Sequence, residues 1–325
     1  MSDIAVIGCG RIAWKLEHDP LRYKPCTHLG ALRYWLKRNK RLRIVSLCDS
    51  DAHSATGAAT FLGAHAALVT ADFREVIAQK PDLLVVAAST AAHFEILAAA
   101  LKGNVPRIVA EKPVVFSADE AKKLRRLLKK SRSVVLPNYE RRYHPKYLKL
   151  HRQIGGKAHS YRGFFAAGGR SLYARAKTGD EGVLLHDTTH LLDLAQFFFG
   201  DIRRYNQVAG KRKHVIYLEH TNGSIGTIET ALGIGAFHLE LEIHTAKERL
   251  IVGNGFLERQ PIRESPHYKN LRSYGVPARV PDAAFTVLQN PFVKLYEYAL
   301  STKADNAHFL EALKNAEILG AARRA

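Results

Sequence analysis

Two short stretches of this sequence carry the residue types that acid–base chemistry needs, and they lie far apart in the chain. The first is Glu111-Lys112-Pro113, inside IVAEKPVVF at residues 108–116. The apolar run reads as a buried strand, and Pro113, with no N–H to give to a ladder, ends it. Lys112 is left at a strand's carboxyl end, the edge where open α/β sheets bind ligands. An ammonium in a partly dry crevice there is readily tuned. The second stretch is GVLLHDTTHLLD at residues 182–193. On a helix His186, His190 and Asp193 share a face, Asp187 neighbours His190, and the polar stripe lies opposite Leu184, Leu185, Leu191 and Leu192. Histidine titrates near neutral pH and suits a general base facing a cofactor crevice. Two histidines four apart can also ligate zinc, but too few ligands are evident and no glutamate stands between them, so no metal is expected. A solvated loop lysine and satisfied structural histidines are the plain alternatives.

A base and an ammonium need a reaction partner, and the N-terminus supplies a place for one. Residues 2–7 form an apolar strand that runs straight into Gly8-Cys9-Gly10-Arg11-Ile12-Ala13. This is G-x-G-x-x-A between a strand and a helix start: the first glycine allows the tight turn, the second lets backbone approach a pyrophosphate, and the small third residue lets helix and strand pack closely. Gly8, Gly10, Arg11 and Ile12 are therefore expected to hold a dinucleotide at a helix N-terminus. The second strand, residues 42–47, ends at Cys48-Asp49-Ser50. A carboxylate there accepts both ribose hydroxyls, which selects NAD over NADP; a plain helix cap is the other reading of Asp49. Its distance from the glycines exceeds the usual roughly 20 residues, and a loop inserted at residues 14–27, read as a lid beside the crevice, accounts for the excess. Ser89, Thr90 and His93 follow the buried strand at 82–88. With Ser50 and Glu111 they are expected to line the cofactor crevice.

The elements that must position these groups alternate regularly at first. Strands at 67–70, 82–88, 108–110 and 133–136 are separated by helical stretches, among them 92–102 and the segment opened by the Ser117–Glu120 capping box with Leu124, Leu127 and Leu128 on one stripe. Alternation of this kind predicts a doubly wound parallel sheet, a Rossmann domain over residues 1–143. After Tyr143-His144-Pro145 the pattern changes. Strands at 158–166, 214–219, 224–232 and 239–245, with a hairpin signal at Thr221-Asn222-Gly223, predict a second α+β domain over 144–325 with a largely antiparallel open sheet. One face of that sheet must be covered by helices or by another subunit. Residues 261–281 carry four prolines and read as a long irregular loop, and a helix from about Asn306 ends the chain.

Composition bounds the rest. The 325 residues suffice for two substantial cores, and 46% hydrophobic with 24% charged is an ordinary globular balance. No apolar run approaches the roughly 20 residues a membrane span needs. Strand-like sequence begins at Ile4, which leaves no room for a signal peptide, and Cys9, Cys26 and Cys48 have neither pairing nor metal spacing, so a reducing cytoplasm is expected. The net charge of +19, clustered at 33–43, 122–132, 141–162 and 203–213, suits solvated helix faces or the steering of anions. No helix-turn-helix, zinc-finger or aromatic RNA-binding signature accompanies it, so a nucleic-acid partner is not expected.

Taken together, the N-terminal G-x-G-x-x-A, Ala92-His93-Phe94-Glu95, the Glu-Lys-Pro, Asn138 with Arg142 and Pro145, and the 182–193 segment make the chain resemble the glucose–fructose oxidoreductase / inositol dehydrogenase / MocA (Gfo/Idh/MocA) oxidoreductases over nearly its whole length. The resemblance implies hydride transfer between nicotinamide and a hydroxyl carbon of a sugar, a sugar derivative or a cyclitol. It also implies a Rossmann domain joined to a domain whose open sheet often forms the oligomer interface, hence a homodimer or homotetramer. The family lysine maps to Lys112 and the family catalytic histidine to His190, with Asn138 and Arg142 in the substrate region. One departure stands out: the family usually has an aspartate four residues before that histidine, where this chain has His186, and Asp187 follows one position later.

The reading that results is an NAD-dependent dehydrogenase. His190 removes the hydroxyl proton, Lys112 stabilises the developing alkoxide, Asp187 is the expected partner of His190, and His186 the expected substrate contact. Arg142 and Lys15 would attract a phosphorylated, nucleotide-linked or acidic sugar. Two rival readings are an NAD-recycling glycoside hydrolase and a ligand-sensing regulator without turnover.

Overall fold

Six short apolar runs, each closed by a turn or a helix cap, become the strands of one sheet in the computed structural model, which describes residues 2–64, 67–156, 158–168 and 171–322, with the backbone alone for 171–183 and 322. They are β1 (Ser2–Ile7), β2 (Leu42–Cys48), β3 (Leu68–Thr70), β4 (Leu83–Val86), β5 (Arg107–Ala110) and β6 (Val134–Pro137). All pair in parallel, in the order β3-β2-β1-β4-β5-β6. A parallel sheet must be covered on both faces, and the connecting helices do this: α1 (His28–Arg38), α2 (Ala52–Leu62), α3 (Phe73–Ala78), α4 (Thr90–Lys102) and α5 (Ala118–Leu128). The strand order reverses between β1 and β4. That switch point opens a crevice at the carboxyl edge of the sheet.

The second unit begins with α6 (Pro145–Ile154), β7 (Ala158–Ala167) and α7 (Ser171–Phe199). It continues through β8 (Ile202–Ala209), β9 (Lys213–His220), β10 (Ile225–Leu232), β11 (His238–Thr245), β12 (Glu248–Gly253), β13 (Phe256–Glu264), β14 (Arg272–Tyr274) and β15 (Ala278–Pro281). These strands form a nine-stranded sheet in the order β14-β13-β12-β11-β7-β10-β9-β8, with β15 paired to β13. β10 lies parallel to β7, and the other pairings are antiparallel. Burial alternates along β9 and β11, as one-sided packing requires. Leu191, Leu192 and Phe199 of α7 are buried, Phe199 stacks on Tyr161 at 4.2 Å, and Gly163 lets Leu191 sit against β7, where a Cβ would lie 3.1 Å from it. The other face carries Arg249–Glu242 and Lys213–Glu229 ion pairs at 2.9 and 2.8 Å together with exposed Tyr217 and Ile225.

Two expectations are corrected here. The stretch 261–281 is not an irregular loop. Pro261 lies within β13 and Pro281 ends β15, while Pro266 and Pro277 lie between strands. Three of the four prolines thus sit where no ladder donor is required. Nor does 144–325 form one body. Residues 146–284 make the second unit, whereas 285–320 return to the first, through α8 (Pro291–Ala299) and α9 (Ala307–Ala322). The reason is apolar burial. Phe292, Val293, Leu295 and Tyr296 of α8 join the core on the α1 and α2 side of the parallel sheet, and Phe309, Ala312 and Leu313 of α9 join the core on the α4 and α5 side.

Candidate active site

The glycine motif is shaped by how close its backbone comes to β4. Gly8 has φ +91°, and a Cβ there would lie 2.3 to 2.6 Å from the backbone of Ala87 and Ala88, so no other residue fits. A Cβ on Gly10 would meet nothing within 4 Å. That open space beside the turn is what a pyrophosphate needs.

The sequence places a helix directly after this motif, and the structure alters that expectation. Residues 11–14 form a turn, Lys15–His18 a short 3₁₀ helix, and α1 begins only at His28. Yet His28 N–H donates to Ile12 O at 3.2 Å and Leu29 N–H to Ala13 O at 2.8 Å. In an unbroken helix those carbonyls accept from residues 16 and 17. His28 and Leu29 take these places, so twelve residues, 16–27, are spliced into one helix without breaking its ladder. The neck of the excursion is closed by Glu17, whose carboxylate accepts from Thr27 Oγ1 at 2.7 Å and Cys26 N at 3.1 Å. Its outer part is held by Asn290 Nδ2 donating to Pro25 O and by Tyr23 OH 3.3 Å from Glu140, just beyond β6.

Asp49 stands at the end of β2, accepting from Cys9 N at 2.7 Å and Asp51 N at 2.9 Å. Each carboxylate oxygen retains acceptor capacity for a hydroxyl. Ser50 and Arg11 are exposed beside it, Ile12 is half-buried, and Lys15 donates to Ser54 Oγ of α2 at 2.7 Å. Lys15 therefore lies on the β2 side. Two strands separate β2 from β5, roughly 14 Å in all at the usual spacing, which removes Lys15 from the neighbourhood of Lys112 expected of a substrate contact.

At the other end of the crevice, Ser89 is exposed and Thr90 half-buried where α4 starts. His93 is fully buried, its ring nitrogens 3.0 Å from Ala88 O and Pro113 O. It thus ties the end of β4 to the Glu-Lys-Pro turn. Burial pushes its pKa down against those two carbonyls, which favour the charged ring. Glu111 is buried and accepts from His28 Nε2 at 2.8 Å and Asn138 Nδ2 at 2.6 Å. His28 Nδ1 lies 2.8 Å from Tyr296 OH of α8. Lys112 is half-buried beside this group. Asn138 Oδ1 is buried with no hydrogen-bond partner among the described residues, so an acceptor waits at the end of β6 for a donor from a ligand. With the space at Gly10, this orphan acceptor fits a nicotinamide dinucleotide bearing a carboxamide NH₂. Arg142 is committed to Glu311 of α9 at 2.5 Å and anchors that helix, which weakens its case as a magnet for anionic sugars.

In the second unit, His186 and His190 are half-buried on α7, whereas Asp193 is buried. The expected shared face is therefore divided by burial. Asp187 Oδ1 contacts His186 Nδ1 at 3.2 Å, and the His186 side chain is 41% exposed. The His186 and His190 rings stand edge to face with centroids 6.5 Å apart, and His190 is parallel to Phe165 at 6.3 Å. Thr188 Oγ1 donates to Leu184 O at 2.5 Å and shares a hydrogen bond with Thr230 Oγ1 at 2.9 Å, fastening this part of α7 to β10.

Sequence reasoning missed His28 and Tyr296. His28 was visible only as the first residue of a helical pattern, and Tyr296 belongs to a helix that 144–325 read as one domain had concealed.

Residues 2–139 match the model of an oxidoreductase family with an NAD-binding Rossmann fold. Inositol 2-dehydrogenase from Rubrobacter xylanophilus is 24% identical over 244 residues, covering 68% of this chain and 69% of that protein. Among solved structures, an NAD binding oxidoreductase from Klebsiella pneumoniae shares the fold with a TM-score of 0.74 at 17% identity, covering 99% of this chain and 96% of that one. Levoglucosan dehydrogenase in complex with NADH and levoglucosan has a TM-score of 0.72 at 16% identity, and UDP-N-acetylglucosamine 3-dehydrogenase from Acidithiobacillus ferrooxidans 0.69 at 18%; each likeness covers 99% of this chain and 97% of the other.

Proposed function

We propose that the chain is a member of the Gfo/Idh/MocA oxidoreductases, whose NAD-binding Rossmann model its residues 2–139 match, and that it oxidises or reduces a hydroxyl-bearing carbon of a sugar, a sugar derivative or a cyclitol. The observation that supports this reading is the carboxyl edge of the parallel sheet, where the glycine turn with open space at Gly10, Asp49 after β2, Lys112 after β5 and the orphan acceptor of Asn138 after β6 all lie. The relatives whose names state a substrate act on inositol, levoglucosan and a nucleotide-linked amino sugar. All three are polyhydroxylated rings.

Gly8, Gly10, Arg11 and Ile12 would hold the pyrophosphate, and Asp49 with Ser50 the adenosine ribose. Ser89, Thr90 and Asn138 lie toward the nicotinamide. Nicotinamide, when bound, supplies the acceptor or source of the hydride. Removing hydride from an alcohol also requires taking its hydroxyl proton, which a base of near-neutral pKa does well. His190 takes that proton, and Lys112 donates a hydrogen bond to the same oxygen, stabilising charge that develops only in the transition state. Asp187, 3.2 Å from His186, supplies the fixed negative charge of the segment and is the proposed partner that orients His190. His186 contacts the substrate. The outer face of the nine-stranded sheet pairs with a second copy of the chain, which native mass spectrometry checks by subunit count.

NADH formation across a panel of sugars and cyclitols, with free sugar measured in parallel, tests this function. Net NADH with a polyol supports it. Sugar release at constant NAD indicates a hydrolase, and ligand binding without either product indicates a sensor.

A further inference from the structure

Three distant parts of the chain meet behind Lys112. Tyr296 comes from α8, His28 from the start of α1 and Asn138 from the end of β6. Tyr296 and His28 are 0% exposed and Glu111 7%, so Glu111 is a carboxylate almost wholly removed from water. Burial alone would push its pKa up, but the hydrogen bond and charge of His28, the charge of Lys112 and the Asn138 donor together hold it below the ordinary value. An ionised carboxylate only accepts hydrogen bonds, so His28 carries a proton on Nε2. Burial and the Glu111 charge keep Tyr296 a neutral phenol, its hydroxyl 2.8 Å from His28 Nδ1. His93 on α4 also faces Glu111, and burial pushes its pKa down.

A buried carboxylate with this many donors is costly to assemble, and its neighbour in sequence is the lysine of the proposed mechanism. We propose that Tyr296, His28 and Asn138 form a positioning network that fixes Glu111 as the counter-charge of Lys112, holding the lysine ammonium at the substrate end of β5. The network rests on reading Lys112 as the group that meets the substrate oxygen. α8, brought to the first unit by apolar burial, delivers Tyr296 to the network.

The test uses neither cofactor nor sugar. The pH dependence of Lys112 acylation by acetic anhydride is measured by peptide mapping in the whole protein, with exposed Lys102 as control. An opposite charge within contact shifts a pKa by about 1 to 3 units, so Glu111→Gln lowers the Lys112 midpoint by about 1 unit or more and leaves Lys102 unchanged. His28→Phe strips a donor from Glu111 and lowers the midpoint in the same direction. His28→Gln keeps a donor and stays near the unmodified protein. Should His28→Phe fail to fold, isosteric Glu111→Gln still decides the counter-charge, and Tyr296→Phe reads the network through a smaller shift of the same sign. An unchanged midpoint in Glu111→Gln, or in a folded His28→Phe, overturns the proposal. Either result leaves hydride transfer untouched, just as a silent sugar panel leaves this network standing.

Discussion

The carboxyl edge of the parallel sheet and the histidine segment of α7 treat their polar groups in opposite ways. At the edge, His28, Tyr296, His93 and Glu111 are buried and bonded to protein partners. On α7, His186 is only half-buried and Asp187 meets it from the adjacent position. Groups already desolvated and bonded are pre-organised and need no rearrangement when charge develops. Side chains that water still reaches can exchange that water for a ligand. In the function proposed above, the edge serves the cofactor and its lysine, and the α7 segment the substrate.

The sharpest way to break this contrast is Lys112→Met. A positioned acid–base group contributes about 100- to 10,000-fold, so turnover should fall by that factor while NAD affinity, measured by calorimetry, stays within about threefold. Near-normal turnover returns Lys112 to a solvated loop. Cofactor choice comes next. A 2′-phosphate would face the Asp49 carboxylate, and like charges across a site cost several kcal/mol. NAD should bind at least about 100-fold tighter than NADP, and Asp49→Asn should narrow the gap.

On α7 the expected effects are smaller. Asp187→Asn removes the fixed charge of the segment and should lower kcat by about tenfold or more, less than the loss of a group that itself carries the proton. His186→Asn should chiefly raise KM, the signature of lost uniform binding. If neither substitution matters on an identified substrate, the segment is structural. The smallest effect is expected for deleting residues 16–27. Since His28 and Leu29 already continue the ladder from Ile12 and Ala13, joining Lys15 to His28 should give one continuous helix, with NAD affinity kept and Tm lowered by about 5 °C or less. An unfolded deletion variant would show that the excursion is part of the core.

Much of the first unit is legible in sequence because a parallel sheet writes itself in continuous apolar runs ended by glycine, proline or acid, as at Gly8, Asp49 and Pro113. The excursion at 16–27 is legible as an interruption, but its register is not, because Ile12 O and His28 N meet through space. The return of α8 carries a local signal, Asn290-Pro291, with Asn290 capping Phe292 and Val293. What no local pattern shows is which core Phe292 and Tyr296 join. The strands within 261–281 are hidden for a related reason: their prolines argue against a central strand, and only tertiary pairing shows that β14 and β15 lie outside β13. Of the site, single residues at strand ends are visible, whereas the Tyr296–His28–Glu111 chain, assembled over hundreds of residues, is not.

The central claim is that hydride passes between nicotinamide and a carbinol carbon. Incubating the protein and NAD with sugars and cyclitols deuterated at every carbon-bound position, and weighing the cofactor by mass spectrometry, tests it most directly. The account predicts NADH carrying one deuterium with at least one polyol, and none with Lys112→Met. Cofactor free of deuterium across the panel, while a sugar is bound or cleaved, would contradict it.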